Sequence, residues 1–170
     1  GCEPASARGG ESSSAPIAYG SVESPPIDFE LPDFELLDHE KKPFKKSDLL
    51  GKVWVVDFVF TSCPVVCPTM TKRMSDLAKE LDAEDGVRFL SITVDPENDT
   101  PEKLKAFGEQ HGHLTPRWRF VTGEPKMVDD TVVKGFLMAV RRGSARADIS
   151  HAERFVVVDE RAHVRGLYDT

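Results

Sequence analysis

Cysteine is scarce in this chain, with three in 170 residues. Three thiols cannot build a disulfide scaffold, and a chain of this length needs none, because its core can bury roughly two-thirds of its surface unaided. Long apolar runs are also missing: no stretch approaches the roughly 20 residues of a membrane-spanning helix. Basic residues are outnumbered, 22 Lys and Arg against 29 Asp and Glu, for a net charge of −7. Without a basic stripe interleaved with aromatics, that balance excludes nucleic acid as a partner. Internal repeats are absent. So is a second thiol pair to complete a four-ligand zinc site.

What is present is a local pair, Cys63 and Cys67, where an apolar run meets a helical pattern. Residues 53–60 are nearly all apolar, β-branched or aromatic, as in a central strand buried on both faces. Met70, Met74, Leu77, Ala78 and Leu81 then recur on one face, so the spacing predicts a helix over 68–81. Pro68 suits its first position and places Cys67 near the cap. Such a junction aims backbone N–H groups and the positive end of a helix dipole at the sulfurs. That field favours thiolate, the form that binds metal or attacks a disulfide. Four-residue spacing allows the two sulfurs to form a disulfide or to share a soft ion such as Cu(I), which wants a third ligand.

Around this junction the chain reads as a tail and one α/β domain. Residues 1–27 are rich in Gly, Ser, Ala and Pro and cannot bury enough apolar surface to order themselves. The Gly1-Cys2 start with a polar linker reads as the mature end of a bacterial lipoprotein, a tether to a membrane surface, or else as a plain leader. From Asp28 the composition turns globular. Two short strands are expected near 34–37 and 42–44, a second buried strand at 87–94, and a helix opened by Asp99-Thr100-Pro101 and stopped at Gly112. A short strand at 119–121, a helix from Glu124-Pro125 to Gly135, an extended piece at 136–140 and a polar loop at 141–150 follow. A hairpin of 155–158 and 164–168 ends the pattern. Alternating strands and helices imply a mostly parallel sheet centre with an antiparallel hairpin edge, and a final covering helix is expected to be lacking.

A third ligand has to come from a distant segment. Of five histidines, His39 reads as a turn residue, His111 and His113 as a solvated helix exit with metal-compatible spacing, and His163 as a strand residue. His151 stands between a polar loop and the apolar run 155–158; the residues alone leave it open as a ligand or a bystander. Asp57 is the one charge inside the strand before Cys63. It reads equally as a buried proton acceptor for a thiol or as an edge aspartate paired with lysine. Asp95-Pro96-Glu97 reads as a turn that can also lend charge to a metal site, and Met70 and Met74 read as core.

The run from Phe58 through Cys63-Pro64-Val65-Val66-Cys67-Pro68, the segment Ser91-Ile92-Thr93-Val94-Asp95-Pro96-Glu97-Asn98-Asp99-Thr100, and a histidine 84 residues beyond Cys67 together resemble the Sco/SenC family. The resemblance runs from about Asp28 to the end. It implies a thioredoxin-like fold, with a central mixed β-sheet flanked by helices and an N-terminal β-hairpin extension. It implies copper as the metal, with Cys63, Cys67 and His151 as ligands. It also implies delivery to the binuclear copper site of cytochrome c oxidase, with that oxidase's copper-site subunit, other periplasmic copper chaperones or thiol reductases as partners. The location implied is the periplasmic side of the cytoplasmic membrane, through a lipid anchor. Asp57 matches the buried acid that thioredoxins carry before their cysteine pair, so a thiol–disulfide oxidoreductase acting on the oxidase's cysteines stands beside the metallochaperone. A peroxiredoxin-like peroxidase is disfavoured, because the Pro-x-x-x-Thr-x-x-Cys pattern is missing at both cysteines. An inert, permanently closed disulfide is the bland alternative.

Overall fold

The two apolar runs in the middle of the chain fold side by side and parallel, as their composition predicts. The computed structural model describes residues 27–144, 149–151 and 153–170, so the tether expected over 1–27 lies, but for its last residue, outside the described residues. The strands are Phe29–Glu30 (β1), Glu35–Asp38 (β2), Pro43–Lys45 (β3), Val53–Val59 (β4), Val87–Thr93 (β5), Trp118–Thr122 (β6), Val140–Arg142 (β7), Ile149–His151 (β8), Arg154–Val158 (β9) and His163–Asp169 (β10). The helices are Val66–Glu80 (α1), Pro101–His111 (α2) and Pro125–Asp129 (α3), the last running on into a π-helical segment, Asp130–Gly135.

One sheet has the strand order β1-β10-β9-β4-β5-β6-β2-β3. Its β4–β5 and β5–β6 pairs are parallel and its other pairs antiparallel, so hairpins flank the parallel centre on both sides. Beyond its first residue β4 is buried throughout, with β9 on one side and β5 on the other. Trp118, Phe58, Phe89 and Phe120 are fully buried and fill the core. The β4–β5 register sets Asp57 beside Ser91, and the Trp118 indole N–H donates to the Ser91 hydroxyl at 3.0 Å.

Three expectations are corrected. Helix α1 begins at Val66 with Val65 as its N-cap, two residues earlier than expected, so Cys67 is the second helical residue and Pro68 the third. Proline is tolerated anywhere in the first turn, where N–H groups have no intrahelical partner, so it did not mark the start. The segment at 136–140 is extended only at its end: Phe136 closes the π-helical segment and packs on Phe58 at 5.7 Å, and Leu137 takes a left-handed φ of 53°. The polar loop at 141–150 is framed by a second, two-stranded sheet in which β7 pairs antiparallel with β8. Three-residue arms are too short for periodicity to reveal.

Candidate metal centre

The loop between β4 and α1 is held from beneath by a carboxylate that the motif reading passed over. Asp99, buried at the turn before α2, accepts the Thr61 N–H at 3.1 Å, the Thr61 hydroxyl at 2.5 Å and the Thr93 hydroxyl at 2.7 Å. Burial raises its pKa, and the Thr61 and Thr93 bonds oppose that rise. In the sequence Asp99 reads as part of a helix start and of the segment that resembles the Sco/SenC family, and neither reading pairs it with Thr61, two residues beyond β4, or with Thr93 at the end of β5. Asp99→Ala strips the acceptor from three donors, and leaving such groups unpaired costs about 1–3 kcal/mol each before relaxation. Urea denaturation of the reduced protein is therefore expected to show a loss of about 3 kcal/mol; a loss under about 0.5 kcal/mol contradicts the anchoring role.

Above that anchor the chain turns tightly, with the Cys63 N–H donating to the Phe60 carbonyl at 3.1 Å. Both thiols are free. Cys63 is half-buried and Cys67 fully buried. No side chain caps α1 at Val65 and no acid sits in its first turn. Instead the Cys63 sulfur accepts the Cys67 N–H at 3.3 Å, satisfying one of the orphan donors of the helix end. The expectation of thiolate at both sulfurs fails at Cys67. Burial pushes that thiol well up, and the adjacent Cys63 sulfhydryl and the Asp57 charge add to the rise. The helix-end field is outweighed by desolvation.

Asp57 is fully buried in the sheet, which corrects the reading of an edge aspartate paired with lysine. Its Oδ1 accepts the Ser91 hydroxyl at 2.5 Å, and its Oδ2 meets no donor among the described residues. Burial lifts its pKa to about 7, with the Ser91 bond pulling the other way.

His151 ends β8 and is half-buried, with its ring edge-on to Phe60 at a centroid separation of 6.2 Å. It faces Cys63 across a cleft of about 250 Å³, walled also by Pro64, Val65, Val66 and Ile149. The structure thus brings one thiol and the imidazole to the same cleft and sets the second thiol beneath the first. They do not form a closed cage: among the described residues no three His, Cys, Asp or Glu side chains stand as a group able to hold an ion. Soft sulfur and imidazole are nevertheless the donor chemistry that suits copper.

The remaining candidates lie elsewhere. The His39 Nδ1 accepts the Phe120 N–H at 3.2 Å inside the core, and burial lowers its pKa. His111 packs on Phe107 at 4.8 Å, and His113 lines a different cleft beside Arg117. His163 pairs with Asp28 at 2.7 Å. Asp95 forms a turn, accepting the Asn98 amide at 2.8 Å and donating its own N–H to the Thr93 hydroxyl. Met70 and Met74 are core.

The SCO1/SenC family model matches residues 25–170. The chain belongs to the SCO1/SenC family. The SCO1 protein homolog of Bacillus subtilis (strain 168) is 35% identical over 135 residues, covering 78% of this chain and 70% of the relative. A SCO1/SenC family lipoprotein from Bacillus anthracis str. Ames has a crystal structure that superposes with a TM-score of 0.79 at 35% identity, over 85% of this chain and 87% of that one. BsSco, a member of the Sco family of cytochrome c oxidase assembly proteins in which a disulfide switch was identified, superposes at 0.76 with 33% identity, over 85% and 86%. Copper-bound ScoI of Bradyrhizobium japonicum shares the fold, at 0.74 and 23% identity over 83% and 90%. The mixed sheet and flanking helices of this SCO1/SenC chain are therefore those of the thioredoxin-like Sco structures, as the resemblance implied. No helix among its described residues is long and apolar enough to cross a membrane.

Proposed function

We propose that this protein binds copper through Cys63, Cys67 and His151 and passes it to the binuclear copper site of cytochrome c oxidase, whose copper-site subunit is the partner. One observation carries the reading: the free Cys63 thiol, bonded to the N–H of the buried Cys67 at the start of α1, shares a cleft with a histidine from β8. The family membership and the copper-bound relative support it. Copper is cargo here, so donors that close only around the ion suit release as well as capture. Cys63 and Cys67 offer it soft thiolate sulfur, and His151 offers imidazole nitrogen. Metal binding draws protons off both thiols, so affinity is expected to rise with pH. The lipoprotein relative supports a tether over 1–27 that holds the domain at the outer face of the bacterial cytoplasmic membrane.

Titration of the reduced protein with copper tests this reading. Wild type is expected to take up a single ion per chain, and His151→Ala to bind at least about tenfold more weakly, since even outer-shell changes at metal sites cost 10–100-fold. Unchanged affinity in both His151→Ala and Cys63→Ser removes the proposal.

A second reading, thiol–disulfide exchange with the oxidase's copper-ligand cysteines or with periplasmic thiol reductases, is favoured by the unequal burial of the two sulfurs and by the disulfide switch of the BsSco relative. The two readings are compatible, because only the dithiol binds metal.

A further inference from the structure

We infer that Arg142 is a positioning residue that sets His151 against the cysteine pair, an inference that rests on the copper reading above. In the β7–β8 register Val140 opposes His151 and Arg142 opposes Ile149. Opposed residues of an antiparallel pair share a face, and so do residues two apart along a strand. Val140, Arg142, Ile149 and His151 therefore lie on one side of the hairpin. That side is the inner one, because Val140 and Ile149 pack against the core.

The hairpin has no ladder to the main sheet among the described residues, so its attachment falls to side chains. Val140 and Ile149 supply the apolar part, which is non-directional and tolerates rotation. Arg142 supplies direction. Its Nη2 donates to the Val94 carbonyl at 2.9 Å and to Asp129 Oδ1 at 2.6 Å. Val94 donates its own N–H to the Val59 carbonyl at 2.8 Å, so it belongs to the sheet end from which the cysteine loop departs. Asp129 is the last residue of α3. One guanidinium thus ties the histidine-bearing hairpin both to the sheet end from which the cysteine loop departs and to the C-terminal end of α3. Both bonds leave one nitrogen of a rigid planar group, so the two acceptors together set the plane of the guanidinium.

The test compares wild type, Arg142→Ala, Arg142→Lys and His151→Ala, all reduced, with Cu(II) as the probe. Arg142→Ala is expected to lower copper affinity about tenfold, the lower end of what outer-shell partners cost. Its electron paramagnetic resonance spectrum is expected to show altered nitrogen coupling, with Arg142→Lys intermediate. In the metal-free protein, hydrogen exchange of the β7 and β8 amides is expected to quicken in Arg142→Ala while exchange in β4 and β5 stays as in wild type. If His151→Ala loses nitrogen coupling but Arg142→Ala matches wild type in affinity, spectrum and exchange, the positioning role is overturned and the copper reading stands. If His151→Ala itself matches wild type, the copper reading falls and takes this inference with it.

Discussion

Cys63→Ser is expected to slow thiol–disulfide exchange by more than about a hundredfold, whereas Cys67→Ser is expected to take the first step and stop there. The two sulfurs differ in access, and burial opposes ionisation of Cys67. Cys63 borders the cleft, and its sulfur accepts a helix N–H, an interaction that strengthens when the sulfur carries charge. Cys67 lies fully buried beneath it, with its thiol pushed well up. In the expected sequence the Cys63 thiolate attacks one sulfur of an external disulfide and expels a thiolate. Cys67 then attacks the Cys63 sulfur and expels the second thiol, leaving a Cys63–Cys67 disulfide and two reduced external thiols. Mass spectrometry after mixing with glutathione disulfide distinguishes the variants. A stable Cys63 adduct is expected in Cys67→Ser, and neither adduct nor turnover in Cys63→Ser. Wild-type turnover in Cys67→Ser contradicts this division of labour.

Asp57→Asn is expected to make the protein more stable relative to wild type as pH rises. Burial penalises the charge and lifts the native carboxyl from its ordinary 3.8 to about 7. Between those values the native state holds a proton that the unfolded chain has released, so stability falls as pH climbs through the window and levels off above 7. The part of the window from about pH 5 to 7 corresponds to roughly 2–3 kcal/mol. Asparagine keeps an acceptor for Ser91 but leaves a buried amide unpaired, so a constant cost of about 1–3 kcal/mol accompanies it. The diagnostic quantity is therefore the change between pH values, not the sign at one pH. Urea denaturation at about pH 5 and about pH 8 is expected to show the variant gaining roughly 2–3 kcal/mol on wild type. A difference independent of pH places the Asp57 carboxyl near its ordinary value and contradicts its burial as a charge-averse group.

The sheet centre and the cysteine loop were legible because their signals are local. Residues 53–60 are apolar but for Asp57, residues 87–94 are mostly apolar with Arg88, Ser91 and Thr93 between, and segments of that kind favour strands buried on both faces. His151 was not legible in the same way. Its place depends on β7 pairing with β8, two three-residue arms of mixed polarity whose pairing is set by tertiary packing rather than by pattern. Only the family resemblance singled it out. Asp57 shows the limit from the other side. Its residue type announced something unusual, but whether it met solvent depended on β9 lying beside β4, a pairing between segments about a hundred residues apart. Asp99 was hidden by its neighbours, because a helix-start motif explained it before its bonds to Thr61 and Thr93 were known.

The opening of α1 has one more implication. A serine or aspartate stands at this place in many helices; here a sulfur does the same work. Whatever happens to that sulfur, whether it gains charge, joins a partner or takes up an ion, also changes how firmly the first turn is fastened. The redox state of the protein is thereby written into the fraying of one helix end, where exchange of the Cys67 amide would read it.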